Sequence, residues 1–142
     1  MMVIQQKMYE TTVKAIGGRS GRIESESPKL NLEISTPREM GGAGGEGTNP
    51  EQLFAAGYSA CFDSALNMVA RMGKVKIEGS EVTATVSFGK VEDGGFGIAV
   101  KLDVLVKGVD HETAVSLVEG AHAACPYSRA TRGNIVVEIN VL

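Results

Sequence analysis

The amino-acid sequence predicts a single α+β domain over residues 1–142, with elements in the order βββ-α-ββ-α-β. Three patterns support this fold class. They indicate a long, largely apolar helix at residues 48–73, a pair of alternating strands at 76–90 and 96–107, and a second helix at 111–124. The length suits one domain, and neither an internal repeat nor a linker divides it.

The composition argues against several classes of protein. The formal net charge is −3, and the basic residues form no stripe, so no nucleic-acid partner is expected. The N-terminus has no continuous apolar segment, so no signal peptide is predicted. Polar residues interrupt the long helix, which argues against a membrane span. Two cysteines without an export signal favour the reducing cytoplasm, where paired thiols are more often redox-active than structural.

The N-terminal strands are predicted at Met8–Ile16, Arg22–Ser25 and Leu30–Ser35, which together form a small antiparallel meander. The turn Gly17–Gly21 (GGRSG) joins the first two strands and presents a single arginine. Ser27–Pro28 is expected to end the second strand.

A glycine-rich segment, residues 36–47, leads to the long helix. Such a loop before a helix N-terminus can bind phosphate. This one lacks the Lys-Ser/Thr pair of a nucleotide-binding loop and fits no strand-loop-helix fingerprint. We therefore favour a flexible connector that lets the chain approach its partner closely.

The long helix has a recognisable start and end. Asn49 is a good N-cap, Pro50 suits the first helical position, and Glu51 is favoured by the positive end of the helix dipole. Gly73 is expected to stop the helix. Because the helix is apolar around most of its circumference, most of its sides must be buried, and a homo-oligomer is expected to cover the remaining face.

Cys61 is predicted on the apolar side of this helix. A narrow polar stripe follows the i, i+4 spacing of Ser59, Asp63, Asn67 and Arg71. Cys61 is about 200° away from that stripe, so its thiol is expected to point into protein. A lone buried cysteine is more often a packing residue than a reactive one.

The C-terminal part of the chain is predicted as a helix, a turn and a strand. Asp110 caps a helix at His111–Ala124, and Cys125–Pro126 ends or kinks it because proline disfavours helical geometry in the preceding residue. Tyr127–Gly133 is predicted as a polar turn and Ile135–Leu142 as the closing strand.

Cys61, Arg19 and Glu51 form a candidate site for a reactive thiol. Such a thiol must ionise, yet burial raises its pKa, and a nearby guanidinium counters this because it stays protonated. Glu51 and Cys61 are almost three helical turns apart, so they lie on nearly the same face. Arg19 could reach between them, with the carboxylate positioning the guanidinium.

Cys125 is the candidate second thiol, at an irregular turn that could move toward Cys61. The pair is not a C-x-x-C, which excludes a thioredoxin-type motif. Zinc is a rival interpretation, and its ligands would be Cys61, Cys125, His111 and His122. It is disfavoured because no pair has the usual C-x₂₋₄-C spacing. His122 is better explained as a structural histidine.

The chain closely resembles the organic hydroperoxide resistance (Ohr) branch of the OsmC/Ohr family. The resemblance rests on TNPEQLFAAGYSACFDSAL and AHAACPYSRATRGNI, with GGRSG upstream, and covers essentially the whole chain. It implies an intertwined homodimer with buried central helices and active sites between the subunits. It also implies a peroxidase that reduces alkyl and lipid hydroperoxides and is recycled by a dithiol, with a lipoylated protein as the expected partner. No cofactor or metal is expected.

By the same resemblance, Cys61 is the peroxidatic residue, Cys125 the resolving residue, and Arg19 and Glu51 the activating pair. Cys61 would become a sulfenic acid, which Cys125 would condense into a disulfide. Apolar side chains around the site would suit an alkyl or fatty-acid tail, and the candidates are Phe54, Phe62, Met68 and Met72.

Three alternatives stay open at this point. The nearest is an OsmC-branch peroxidase with a broader peroxide range. The second is a peroxide-sensing module that oxidises without turning over, which turnover with a supplied dithiol would exclude. The third is a structural dimer with inert thiols, for which slow alkylation of the cysteines would speak.

Overall fold

The computed structural model describes residues 1–27 and 29–142, and it confirms the α+β fold class. Two compact units are present, residues 1–50 and residues 51–142. The β-strands and α-helices assigned in the described residues are β1 (Val13–Ile16), β2 (Arg22–Ser25), β3 (Asn31–Glu33), α1 (Pro50–Met72), β4 (Gly79–Lys90), β5 (Phe96–Lys107), α2 (His111–Ala124), α3 (Pro126–Thr131) and β6 (Val137–Val141). The order agrees with the predicted one except for the additional helix α3.

The N-terminal unit contains the predicted antiparallel meander, with β2 between β1 and β3. β1 begins at Val13 and not at Met8, because backbone pairing with the next strand reaches only to Thr12, whose carbonyl accepts from the Glu26 N–H at 3.3 Å. The residues before it are exposed. Of the predicted break at Ser27–Pro28, the proline lies outside the described residues.

The glycine-rich segment 36–47 returns the chain to the end of β3. Ile34 pairs with Thr48 in a parallel bridge, and the Ser35 N–H donates to the Thr48 carbonyl at 2.9 Å. The Gly47 N–H donates to Ser35 Oγ at 3.0 Å. These bonds replace ladder pairing, so β3 is shorter than predicted, and they fit the interpretation of the segment as a connector.

Helix α1 begins at Pro50, the last residue of the N-terminal unit, and ends at Met72, as predicted. The Gly73 N–H still bonds the Val69 carbonyl at 2.9 Å, and the left-handed residue beyond the helix is Lys74, with φ 54°. None of the helices in the described chain combines the length and the apolar character needed to cross a membrane.

The polar stripe of α1 fixes this helix to the sheet. Asn67 Nδ2 donates to Ser80 Oγ on β4 at 2.9 Å, and the same hydroxyl donates to Asp63 Oδ1. Asp63 and Asn67 are both half-buried. The stripe therefore holds one side of α1, and the apolar positions around it fill the core.

The second sheet has the order β4-β5-β6, with β4 and β5 antiparallel and β5 and β6 parallel. Alternate side chains of β5 are buried, which confirms the alternation predicted for this strand. They pack with buried residues of α1 and α2 in one core, which includes Phe62, Leu66, Val100, Leu102, Val104, Leu117, Val118 and Ala121.

α2 has the predicted bounds and the predicted cap, since Asp110 Oδ1 accepts from the Thr113 N–H at 2.8 Å. The polar turn predicted after it is wrong, because Pro126–Thr131 forms α3. Pro126 ends α2 at Cys125 but then occupies the first position of a new helix, where its missing N–H costs nothing.

Candidate active site

Cys61 lies near the middle of α1, where it is half-buried and packs against the core of the second unit. The helix is anchored on both sides of it, by the core and by the polar stripe. Its position is therefore set by tertiary packing of the whole helix, and its side chain keeps some access to solvent.

Cys125 lies at the junction of α2 and α3 and is fully buried. Its extended backbone, with φ −60° and ψ 124°, follows from the proline after it. Cys125 lies close enough to Cys61 to raise the pKa of that thiol, through charge and a side-chain hydrogen bond, and both are free thiols. The structure thus brings together the two sulfurs that the sequence singled out.

The surroundings of Cys61 shift its pKa in opposing directions. Burial raises it, a hydrogen bond from the Tyr127 backbone N–H lowers it, and the neighbouring Cys125 raises it again. The net pKa of Cys61 lies above the ordinary thiol value. A thiolate at neutral pH therefore requires a further stabilising group, and a guanidinium is the predicted one.

Arg19 lies in the N-terminal unit, in a short 3₁₀ turn at Gly18–Ser20. Gly17 adopts a left-handed φ of 76°, and a Cβ at Gly21 would lie 1.7 Å from the Ile16 carbonyl oxygen. The turn is tied down by the Thr36 hydroxyl, which donates to the Arg19 carbonyl at 3.1 Å. The glycines predicted to form this turn are thus required by its backbone.

Glu51 lies in the first turn of α1 and is half-buried. This is the position expected from the helix-start pattern. Arg19 and Glu51 belong to different units of the chain, and their pairing with each other and with Cys61 stays a prediction.

An apolar pocket of about 460 Å³ lies beside the thiol site. Tyr127 connects the two, because it lines the pocket and its backbone hydrogen bond lowers the pKa of Cys61. The Tyr127 ring packs against Phe54 and Tyr58 with centroids 6.1 and 5.6 Å apart. The pocket is lined by Phe54, Ile98, Pro126, Tyr127, Ala130, Thr131, Asn134 and Ile135.

The predicted apolar surroundings are only partly right. Phe54 lines the pocket, but Phe62 is fully buried in the core. Met68 and Met72 lie toward the C-terminal end of α1 and are 39% and 76% exposed. The sequence showed that these side chains are apolar, but the direction in which each one points depends on the packing of α1.

His122 forms a hydrogen bond inside the protein, which fits the structural role expected for it. Its Nδ1 lies 2.9 Å from Ser128 Oγ, and its pKa is lowered by burial and by the neighbouring Arg132 guanidinium. Among the described residues, no group of three or more His, Cys, Asp or Glu side chains is arranged to hold a metal ion.

A buried hydroxyl cluster near the thiols was not anticipated. It consists of Tyr58, Ser128 and Thr131, and Tyr58 Oη lies 2.9 Å from Ser128 Oγ and 3.2 Å from Thr131 Oγ1. The available signal in the sequence was Tyr58, one polar-tipped aromatic on an apolar helix face one turn before Cys61.

Comparison with known proteins places these residues in a recognised family. The sequence model described as OsmC-like protein matches residues 42–140. The chain is 49% identical over 138 residues to the organic hydroperoxide resistance protein of Xanthomonas axonopodis pv. citri, covering 96% of each. It is 48% identical over 140 residues to the organic hydroperoxide resistance protein OhrA of Bacillus subtilis, covering 97% of this chain and 99% of that one.

Solved structures agree with the sequence matches. The crystal structure of OhrB of Bacillus subtilis superposes with a TM-score of 0.89 at 47% identity, covering 96% of this chain and all of that one (100%). An organic hydroperoxide resistance protein OsmC of Legionella pneumophila superposes with a TM-score of 0.92 at 45% identity, covering 96% and 98%. The α+β architecture is therefore shared with these proteins over nearly the whole chain.

Proposed function

The chain belongs to the OsmC-like protein family, and on that premise we propose that it is a two-cysteine peroxidase that reduces organic hydroperoxides to alcohols. The observation that carries the proposal is the proximity of Cys125 to Cys61, which raises the pKa of the Cys61 thiol. Cys61 is half-buried, so it suits the nucleophile that peroxide must reach. Cys125 is buried beside it, so it suits the thiol that resolves the oxidised nucleophile.

In the proposed reaction the Cys61 thiolate attacks the terminal oxygen of the hydroperoxide. The O–O bond breaks, Cys61 becomes a sulfenic acid, and the alkoxide leaves as an alcohol after taking a proton. The Cys125 thiol then displaces water from the sulfenic acid to form the Cys61–Cys125 disulfide. A dithiol reduces this disulfide by two exchange steps and is itself oxidised to a disulfide.

Arg19 and Glu51 complete the proposed machinery. Because the pKa of Cys61 is raised by burial, a fixed positive charge is needed to keep the thiolate populated. Arg19 supplies that charge and stabilises the negative charge that develops as the O–O bond breaks. Glu51 orients the guanidinium, since a carboxylate next to sulfur would by itself raise the thiol pKa.

The pocket beside Tyr127 supports an organic substrate over hydrogen peroxide. Its walls are mostly apolar, and a volume of about 460 Å³ suits an alkyl tail. A lipoylated protein is the proposed dithiol donor. The working form is proposed to be a cytoplasmic homodimer, in which a second copy covers the remaining apolar surface.

Mass measurement after one equivalent of an organic hydroperoxide tests the proposal. The parent protein should lose two hydrogen masses as the disulfide forms. Cys125→Ser should instead gain one oxygen and then stop, because its sulfenic acid has no resolving thiol. A parent protein that remains unmodified would overturn the proposed activity, and a Cys125→Ser protein that cycles normally with a dithiol would overturn the assignment of the resolving residue.

A further inference from the structure

The hydroxyl cluster of Tyr58, Ser128 and Thr131 is almost completely buried. The three residues are 0%, 0% and 6% exposed. Ser128 Oγ also lies 2.9 Å from His122 Nδ1, so it bonds on two sides. Every buried side-chain nitrogen or oxygen in the described residues has a hydrogen-bond partner, and this cluster is therefore fully satisfied.

The cluster joins the backbone segments that carry the two thiols. Tyr58 precedes Cys61 by three residues on α1. His122 precedes Cys125 by three residues, and Ser128 follows it by three. One helical turn is about 3.6 residues, so Tyr58, His122 and Ser128 each lie about one turn from a cysteine, whereas Thr131 follows Cys125 by six residues. The hydrogen bonds thus connect the helices α1, α2 and α3 along the segments that carry the two cysteines.

Residue 127 is held by the same contacts. Thr131 Oγ1 donates to the Tyr127 carbonyl at 3.0 Å. The Tyr127 ring lies against α1 where Gly57 has no side chain, and a Cβ there would be 2.6 Å from Tyr127 Oη. The Tyr127 carbonyl and ring are thus both fixed, and a hydrogen bond from the N–H of the same residue lowers the pKa of Cys61.

A role in packing alone does not require these hydroxyls. Phenylalanine in place of Tyr58, alanine in place of Ser128 and valine in place of Thr131 would fill nearly the same space. None of them would lose hydrogen bonds to water on burial, as a hydroxyl does. A satisfied polar network supplies directional contacts that apolar packing lacks, and it restricts the segments it joins to one arrangement.

We propose that Tyr58, Ser128 and Thr131 are positioning residues of the thiol site, which hold α3 so that the Tyr127 N–H stays on the Cys61 sulfur. The same bonds keep Cys125 within reach of Cys61. This inference rests on the proposed function, because it assigns the cluster to the ionisation and resolution of the proposed nucleophile.

Titration of the single remaining thiol in a Cys125→Ser background tests the proposal. Addition of Tyr58→Phe should raise the apparent pKa of Cys61 by about half a unit or more, because the aligned N–H donor is lost. Ultraviolet absorbance of the thiolate measures this shift. The second-order rate with tert-butyl hydroperoxide, at a pH where the thiol is ionised in both proteins, should fall at least about threefold.

Ser80→Ala in the same background is the matched control. It removes a half-buried hydroxyl that bonds the polar stripe of α1 and fixes the same helix to β4. The control should lower the melting temperature and leave the Cys61 titration where it was. If Tyr58→Phe also lowers only the melting temperature, the cluster is structural and the proposal is wrong.

Thr131 provides a second pair of variants in case Tyr58→Phe folds poorly. Thr131→Val keeps the shape and loses the hydroxyl, whereas Thr131→Ser keeps the hydroxyl and loses a methyl group. The valine variant should raise the Cys61 pKa and the serine variant should preserve it. The opposite order would overturn the proposal in favour of packing.

The two proposals fail separately in these experiments. The titration requires no peroxide reduction. An inactive parent protein would therefore overturn the proposed function, whereas a raised Cys61 pKa in Tyr58→Phe would still show that the cluster positions the thiol site. A parent that turns over peroxide, combined with an unshifted Tyr58→Phe titration, would overturn the positioning role alone.

Discussion

The two units of the chain hold their predicted site residues by different physical means. In the second unit, Cys61 and Cys125 are placed by a shared core, by the hydroxyl cluster and by the junction of two helices. In the N-terminal unit, Arg19 is placed by local backbone geometry, in a 3₁₀ turn that only glycines permit. The position of the proposed nucleophile thus depends on tertiary packing, and the position of the charge proposed to activate it depends on a short turn.

This difference predicts which substitutions separate activity from stability. A change to the Arg19 side chain removes charge without opening the core of the second unit, so its effect should be electrostatic. A change next to the thiols alters geometry, pKa and stability together, because the same contacts serve all three.

The largest expected effect is that of Cys61→Ser. This variant should lose peroxide reduction completely, because a serine hydroxyl does not ionise at neutral pH and Cys125 is fully buried. Steady-state turnover of tert-butyl hydroperoxide with a supplied dithiol measures it. Cys125→Ser serves as the control, since it should still consume one equivalent. Substantial turnover by Cys61→Ser would remove Cys61 as the nucleophile.

Arg19→Ala should come next, with a reaction rate at neutral pH about a hundredfold below the parent. The pKa of Cys61, already raised by burial, should rise further when the positive charge is removed, so the rate should recover in part as the pH increases. Thiolate absorbance against pH and stopped-flow rates measure the two effects.

Arg22→Ala is the control for the loss of an arginine from the same unit. Arg22 lies on β2 and pairs with Glu24 and Glu33 at 3.8 and 3.6 Å. It should leave both the titration and the rate unchanged. An Arg19→Ala protein that behaves like this control would show that the glycine turn does not serve the thiol.

The bounds of α1 and α2 and their starts were predictable because their determinants are local. Pro50 at the first helical position and Asp110 at a cap act within one turn of themselves. The strand of residues 96–107 was also found at its observed bounds, since alternation is visible in the sequence itself. In contrast, β1 was predicted too long. Its length depends on how far β2 continues to pair with it through backbone hydrogen bonds.

Two features of the site escaped prediction, one because a local signal was interpreted incompletely and the other because it depends on contacts between distant segments. α3 was missed because Pro126 was taken only as the end of α2, although proline also starts helices well. The hydroxyl cluster joins residues seventy or more positions apart, namely Tyr58 with Ser128 and Thr131. No local pattern links such residues, whereas the two cysteines stood out by their chemistry alone.

Glu51→Gln should have a smaller effect than Arg19→Ala. It keeps the shape and hydrogen-bonding capacity of the side chain but removes the charge that is proposed to orient the guanidinium. The second-order rate with an organic hydroperoxide should fall at least tenfold, or about 1.4 kcal/mol of transition-state stabilisation. Stability should change little, because a helix-start carboxylate contributes only about 0.3–1 kcal/mol.

Glu112→Gln is the matched control for a helix-start carboxylate. Glu112 lies in the first turn of α2, as Glu51 does in α1. It should reproduce the small change in melting temperature and leave the rate unaltered. A Glu51→Gln rate within twofold of the parent, at a pH where Cys61 is ionised, would reduce Glu51 to the same helix-start role.

The smallest effect is expected at Asp110, which tests whether disturbance at one end of α2 reaches Cys125 at the other. The helix has 14 residues and is about 21 Å long. Asp110→Ala removes the N-cap and should fray the first turn only, so the melting temperature should fall by a few degrees and the peroxide rate should stay within twofold of the parent. A greater loss of rate would mean that packing transmits the change to the thiols.

The pH dependence of that stability loss identifies its cause. The pKa of Asp110 is lowered by hydrogen bonds from the Thr113 side chain and backbone, so its ionised form is favoured in the folded protein. The stabilisation is fully present above the unfolded pKa of about 3.9 and is lost as the pH falls through the lower folded value. The difference between Asp110→Ala and the parent should therefore shrink in acid. Asp110→Asn keeps the accepting oxygen without the charge, so the stability that its cap hydrogen bond contributes should not change with pH. A difference between the alanine variant and the parent that is constant down to strongly acidic pH would show that the cap acts through its shape and not through its charge.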